Sequence, residues 1–159
     1  MIQYLQLNDS FRPVIRQLLV LEWGGPMIVT KGNLFDASVL PGIVAVEGNQ
    51  LLGCLLYQTQ GCEFEVVMLQ SIEEHCGIGT HLMNAAVDMA KKADCTRLWL
   101  ITTNDNTTAI RFYQRYGMHL AAAHIGSMIS ARESLKPTIP LLGADDIPIR
   151  DELELELLL

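Results

Sequence analysis

The chain has 159 residues, half of them hydrophobic, with 18% charged residues and a formal net charge of −7. That length buries about 70% of the unfolded surface without disulfide or metal staples, so one domain over residues 1–159 is expected, with a well-filled core. A negative balance with no basic run argues against a nucleic-acid partner, and no apolar run approaches the ~18 residues that span a bilayer.

The first element expected is a strand over residues 1–7. The capping groups of Asn8-Asp9-Ser10 then open a helix over residues 11–21, with Pro13 tolerated in its first turn. Residues 22–41 read as a long irregular stretch holding Trp23, Gly24, Gly25, Pro26 and Gly32, the kind of segment that carries function. Residues 43–47 and 51–57 form a hairpin turned by Gly48-Asn49, and a strand over residues 63–70 follows Gly61. The helix after Gly79 shows Leu82, Ala86, Met89, Ala90 and Ala93 on one face.

Residues 96–103 are nearly continuous β-branched and aliphatic, as in a strand covered on both faces. A helix over residues 106–116 stops at Gly117, a strand covers residues 119–124, and a short helix covers residues 129–135. Pro137, Pro140 and Pro148 keep the next connection extended. Residues 150–157 alternate Glu152, Glu154 and Glu156 against Leu153, Leu155 and Leu157, a half-buried strand. Its apolar face is compatible with a homodimer, and its glutamates equally with a shielded edge.

The four cysteines, Cys54, Cys62, Cys76 and Cys95, form no C-x-x-C pair and have no histidine cluster at ligand spacing, so no metal is expected. Reduced thiols, and the lack of a basic region followed by an apolar core at the N-terminus, lead to a cytoplasmic expectation.

The informative stretch is Glu74-His75-Cys76-Gly77-Ile78-Gly79-Thr80 between the strand of residues 63–70 and the helix that follows. Strand, glycine turn and helix together aim backbone N–H groups at an anionic phosphate. A P-loop is excluded, because no lysine follows Gly79 and no upstream glycine stands at the right distance. A dinucleotide fingerprint needs a third glycine where Leu82 stands. A plain strand-to-helix turn remains the bland alternative.

With Thr102-Thr103-Asn104-Asp105-Asn106 and then Phe112-Tyr113 downstream, the pattern resembles the coenzyme A site of the GNAT superfamily of acyl-CoA N-acyltransferases. The tail, from Leu135-Lys136-Pro137 through Ile147-Pro148-Ile149-Arg150, resembles a bacterial-type subgroup of unassigned substrate. The resemblance runs from about Trp23 to the end and is densest from Glu63 to Tyr116. It implies an α/β (α+β) fold: a mixed, mostly antiparallel sheet of about six or seven strands with about four flanking helices, splayed between its fourth and fifth strands.

The activity it implies is acetyl transfer from acetyl-CoA to a small-molecule or peptide amine, by direct attack in a ternary complex. Pyrophosphate would lie on the N–H groups of Cys76, Gly77, Ile78, Gly79 and Thr80. Pantetheine would run along Val67 and Leu69, with a backbone N–H near Leu69 facing the thioester carbonyl. Asn104 and Asn106 would contact the donor or cap the next helix. Tyr113 matches the family's general acid and also its donor contacts.

Glu65, on one strand face with Val67 and Leu69, is the base candidate, with Glu63 or water as understudies. Trp23 would wall the acceptor pocket, or simply anchor the core. One departure is Glu74, where the superfamily usually has Arg or Gln. It keeps open a second reading, an acyl-CoA-binding regulatory or interaction module without efficient catalysis.

Overall fold

The computed structural model describes residues 1–73 and 76–159. In chain order it contains β1 (Gln3–Gln6), α1 (Arg12–Trp23), β2 (Met27–Thr30), β3 (Asn33–Asp36), β4 (Gly42–Glu47), β5 (Gln50–Gln60) and β6 (Glu63–Ser71). Then come α2 (Ile78–Lys92), β7 (Arg97–Thr103), α3 (Thr107–Tyr116), β8 (His119–His124), α4 (Ser127–Ser134) and β9 (Glu152–Leu158). The fold is mixed α/β, with a seven-stranded, mostly antiparallel sheet, a two-stranded sheet of β2 and β3, and four α-helices. No helix among the described residues is long and apolar enough to cross a membrane.

The chain forms two compact units: residues 1–26, 36–98 and 158–159, and residues 27–35 and 99–157. In the first unit, β1, β4, β5 and β6 lie side by side, each pair antiparallel. Gly61, at φ 58°, turns β5 into β6, and the register then sets Gln60 opposite Glu63 and Gln58 opposite Glu65. Further along, Tyr57 faces Val66 while Leu56 faces Met68, so Val67 is an extra residue bulged out of the ladder.

α1 begins with Pro13 in its first turn, buries Ile15 and Leu19, and ends at Gly24 in the left-handed region. There the Gly24 and Gly25 amides donate to Val20 and Leu19 carbonyls. α2 buries Ile78, Leu82, Met83, Ala86 and Ala90. Its seat on β5 is Gly53, where a Cβ would lie 2.8 Å from Ile78 Cγ2 and 2.9 Å from the Gln70 carbonyl oxygen. Only glycine lets the helix come this close.

In the second unit β9 is flanked by β7 on one side and by β8 on the other. β8 pairs with β9 from His119 opposite Glu156 to His124 opposite Glu152. The expected strand is present but buried on both faces: Glu152 is 1% exposed and Glu154 5%, while Leu155 on the other face is 0% exposed. Because β9 is interior rather than an edge, the apolar-edge argument for a dimer has no strand to rest on. The stretch expected to be irregular holds a hairpin: Lys31 (φ 50°) and Gly32 (φ 77°) both take positive φ in a two-residue turn joining β2 to β3.

Arg132 on α4 donates to the carbonyls of Ile139, Pro140 and Ile149, tying down the proline-bearing connection. Met128, Ala131 and Ile139 form a small core there, with Val29 and Ile149 packed against it. A side chain at Gly143 would run into the Asp105 carboxylate, which accepts from the Ala144 amide.

The four cysteines are thiols, with Cys54 and Cys95 buried and Cys62 and Cys76 exposed. Burial pushes the Cys54 thiol up to about 12, and Cys95 upward as well. A thiol reagent should therefore modify Cys62 and Cys76 in the native protein and reach Cys54 and Cys95 only on unfolding. Rapid modification of all four in native buffer would contradict this burial.

Candidate active site

In the first unit the glycine turn is tighter than its sequence implies. Gly77 is the N-cap of α2 at φ 75°, and Gly79 falls inside the first helical turn. The first amides of a helix have no carbonyl four residues back; here the first amide paired inside the turn is that of His81, donating to Gly77 O at 3.1 Å. The amides of Ile78, Gly79 and Thr80 thus lie at the positive end of the helix dipole. The Ile78 side chain is buried against Gly53, so this residue offers a ligand its backbone only. Glu74 and His75, the departure from the family pattern and its neighbour, lie outside the described residues; Cys76 is exposed.

His81 was not singled out from sequence. Its Nδ1 lies 2.8 Å from the Gly77 carbonyl, and since that oxygen only accepts, Nδ1 carries the hydrogen. The ring stacks on Tyr4 of β1, with centroids 5.3 Å apart and planes 18° apart. A histidine four residues after a helix-opening glycine is the signal that could have revealed it.

On β6 the bulge at Val67 interrupts strict alternation. Glu65 pairs across to Gln58 and Leu69 to Leu55, an odd step along β5, so Glu65 and Leu69 lie on opposite faces rather than on the shared face expected. Val67 is buried and Leu69 half-buried. Glu65 is 6% exposed, and its Oε2 accepts from Gln58 Nε2 at 2.6 Å. The understudy differs: Glu63 is exposed and meets Arg97 Nη1 at 3.5 Å. Gln58 could have been found by extending the hairpin register back from Gly61. Trp23 is the exposed last residue of α1.

In the second unit, Asn104 follows β7 and its amide is engaged by main chain. Oδ1 accepts from the Arg150 and Asp151 amides at 3.0 Å each, and Nδ2 donates to the Pro148 carbonyl at 2.9 Å. In this structure the side chain holds the C-terminal connection against the end of β7. Asn106 caps α3, accepting from the Ala109 amide at 3.2 Å. Tyr113 is buried, with Phe112 edge-on at 5.3 Å between centroids, and burial raises its phenol above the ordinary value. No group of three or more His, Cys, Asp or Glu among the described residues is placed to hold a metal ion.

Comparison with known proteins adds three findings. The model of the acetyltransferase (GNAT) family matches residues 14–118, more than half of the chain. The protein YdhI of Bacillus subtilis (strain 168) is 37% identical over 147 residues, covering 92% of this chain and 91% of that one. Among solved structures, the IAA acetyltransferase from Bacillus cereus ATCC 14579 superposes with a TM-score of 0.76 at 19% identity, covering all of both chains. A Bacillus subtilis acetyltransferase in complex with CoA gives 0.70 at 17% identity, covering 100% of this chain and 99% of that one.

Asn104→Ala leaves two amides without their acceptor, and should lower stability by about 1–2 kcal/mol. Urea unfolding should register this as a lower midpoint at unchanged slope. An unchanged midpoint would show that Asn104 does not hold the connection.

Proposed function

The chain belongs to the GNAT acetyltransferase family, and from that premise we propose that it transfers acetyl from acetyl-CoA to a primary amine by direct attack in a ternary complex. The observation that carries the donor assignment is the opening of α2. Gly77 in the left-handed region turns the chain so that the Ile78, Gly79 and Thr80 amides begin the helix together, an arrangement suited to a pyrophosphate. The CoA bound in the similar acetyltransferase from Bacillus subtilis supports an acyl-CoA donor.

The chemistry then asks for a base, an oxyanion donor and an acid. Glu65 is the proposed base, taking a proton from the acceptor ammonium directly or through water. A buried carboxylate held by Gln58 is a better-positioned acceptor than Glu63, whose charge is drawn to Arg97. The amine lone pair attacks the thioester carbonyl; the C–N bond forms and an oxyanion develops. Main-chain N–H groups around the Val67 bulge and Leu69 are the proposed donors to it.

Collapse of the intermediate breaks the C–S bond, and Tyr113 gives its proton to the departing thiolate. The proton still on the attacking nitrogen leaves to water or the resulting tyrosinate, so that a neutral amide and CoA thiol are released. Burial raises the phenol's pKa, so the acid is fully protonated throughout the neutral range. Val67, Leu69, Cys76, Asn104 and Asn106 complete the proposed donor site, Asn104 by holding the connection at Pro148, Arg150 and Asp151 against the end of β7. Trp23 is proposed as an acceptor contact, and the acceptor itself is a small-molecule or peptide amine.

Amine-dependent release of CoA thiol from acetyl-CoA tests this reading. Tyr113→Phe should lower kcat by about 10²-fold with KM for acetyl-CoA little changed, and Glu65→Gln should lower kcat/KM for the amine by a similar factor. Full activity in Tyr113→Phe would remove the acid assignment. Saturable acetyl-CoA binding with no turnover on any amine would favour a non-catalytic acyl-CoA-binding module.

A further inference from the structure

The carbonyl oxygen of Gly77 is held twice by one residue. The His81 amide donates to it at 3.1 Å, the bond that opens any α-helix, and the His81 ring adds Nδ1 at 2.8 Å. Nδ1 carries the hydrogen of that second bond, because a carbonyl only accepts. The ring is itself held, stacked on Tyr4 at 5.3 Å between centroids with planes 18° apart. Tyr4 is placed by the β1–β4 ladder, where it stands opposite Ala45. Sheet, ring and carbonyl form one chain of contacts, all within the first unit.

What this clamp fixes is a peptide plane. In a trans peptide the C=O and the N–H share one plane and point in opposite directions. An oxygen turned into the helix towards His81 therefore turns the Ile78 N–H outward, away from the helix. Gly77 makes this orientation insecure. At φ 75° and ψ 2° it has no Cβ to oppose rotation of the Gly77–Ile78 peptide, which would carry the oxygen outward and the N–H inward. A carbonyl facing outward repels the anion that an N–H attracts. The Ile78 side chain is packed at Gly53 and has no part in holding the oxygen. The His81 ring does: a Cβ at Gly77 would lie 3.7 Å from Nδ1, so the ring rests at contact distance against this stretch of main chain.

We propose that His81 is a positioning residue of the donor site: its ring, braced by Tyr4, locks the Gly77–Ile78 peptide with the N–H turned toward the donor's pyrophosphate. This rests on the acyl-CoA reading above and deepens it. In this role His81 acts through the Ile78 amide and not on the thioester. Its effect is on affinity for the phosphate-bearing part of the donor, and an acetyl thioester without phosphates gains nothing from it.

The test is calorimetric titration of the unmodified protein, His81→Phe and His81→Asn with acetyl-CoA and with S-acetylpantetheine, which lacks the phosphates. The first substitution keeps a ring to stack on Tyr4 and loses the donor; the second keeps a side-chain N–H. His81→Phe should bind acetyl-CoA about tenfold more weakly and S-acetylpantetheine as the parent does. His81→Asn should recover most of the loss. Equal weakening towards both ligands would mark a merely structural role. Undiminished acetyl-CoA binding by His81→Phe would show that the turn keeps its orientation unaided. Either result overturns the proposal and leaves the donor reading standing. A parent protein that binds acetyl-CoA no better than S-acetylpantetheine would instead remove the donor reading itself, and the positioning role with it.

Discussion

α2 rests on the sheet at a point where the sheet has no side chain. At Gly53 the backbone of β5 meets Ile78 and Leu82 so closely that a single Cβ would overlap Ile78. Close packing makes such a contact stiff. Ile78 is at once the core anchor and the first helical residue, so the contact that seats the helix also aims its N-terminus. Gly77 at positive φ, with His81 donating back to its carbonyl, joins β6 to that fixed helix. The opening amides of α2 are thus held by the core rather than by the loop before them.

The second unit is organised from its C-terminal half. Residues 137–151 have little regular structure, and three side chains give them shape: Arg132 with three carbonyls, Asn104 with two amides and a carbonyl, and Asp151, which accepts from the Gly126 amide that opens α4. This anchoring delivers the chain to β9 with Glu152 and Glu154 buried, where the Lys31 amide meets Glu152 and the Lys31 and His124 side chains meet Glu154. Buried carboxylates are rarely kept for stability alone, since desolvation cancels most of the attraction. Their place on an interior strand calls for a cation.

Where periodicity and turn chemistry agree, the sequence was a good guide. The strand of residues 63–70, the helix after the glycine turn and the helix stopped by Gly117 all stand within one or two residues of expectation. The cap role of Asn106 was equally readable. Failures occurred where one residue alters a period. The bulge at Val67 turns an even count into an odd one, separating Glu65 from Leu69, and nothing in the apolar run of residues 66–69 marks it. The β2–β3 turn is built on Lys31-Gly32, without the Asn-Gly or Asp-Gly signature that announces such hairpins. In β9 the alternation was correctly seen and Leu155 is buried, but the burial of Glu152 and Glu154 on the other face was not foreseen, because glutamate outside is the rule and the lysine that meets them lies more than a hundred residues earlier. His81 and Gln58 were missed for a related reason: each matters through a partner fixed by helix capping or strand register, not through its own residue type.

The central claim is that the helix opening at Gly77 receives the pyrophosphate of an acyl-CoA. Isothermal titration of the purified protein with acetyl-CoA, with NAD and ATP run in parallel, measures this most directly. The account predicts saturable binding of acetyl-CoA at about micromolar affinity, with neither NAD nor ATP matching it. No heat and no saturation with acetyl-CoA, or equal binding of NAD, would contradict it.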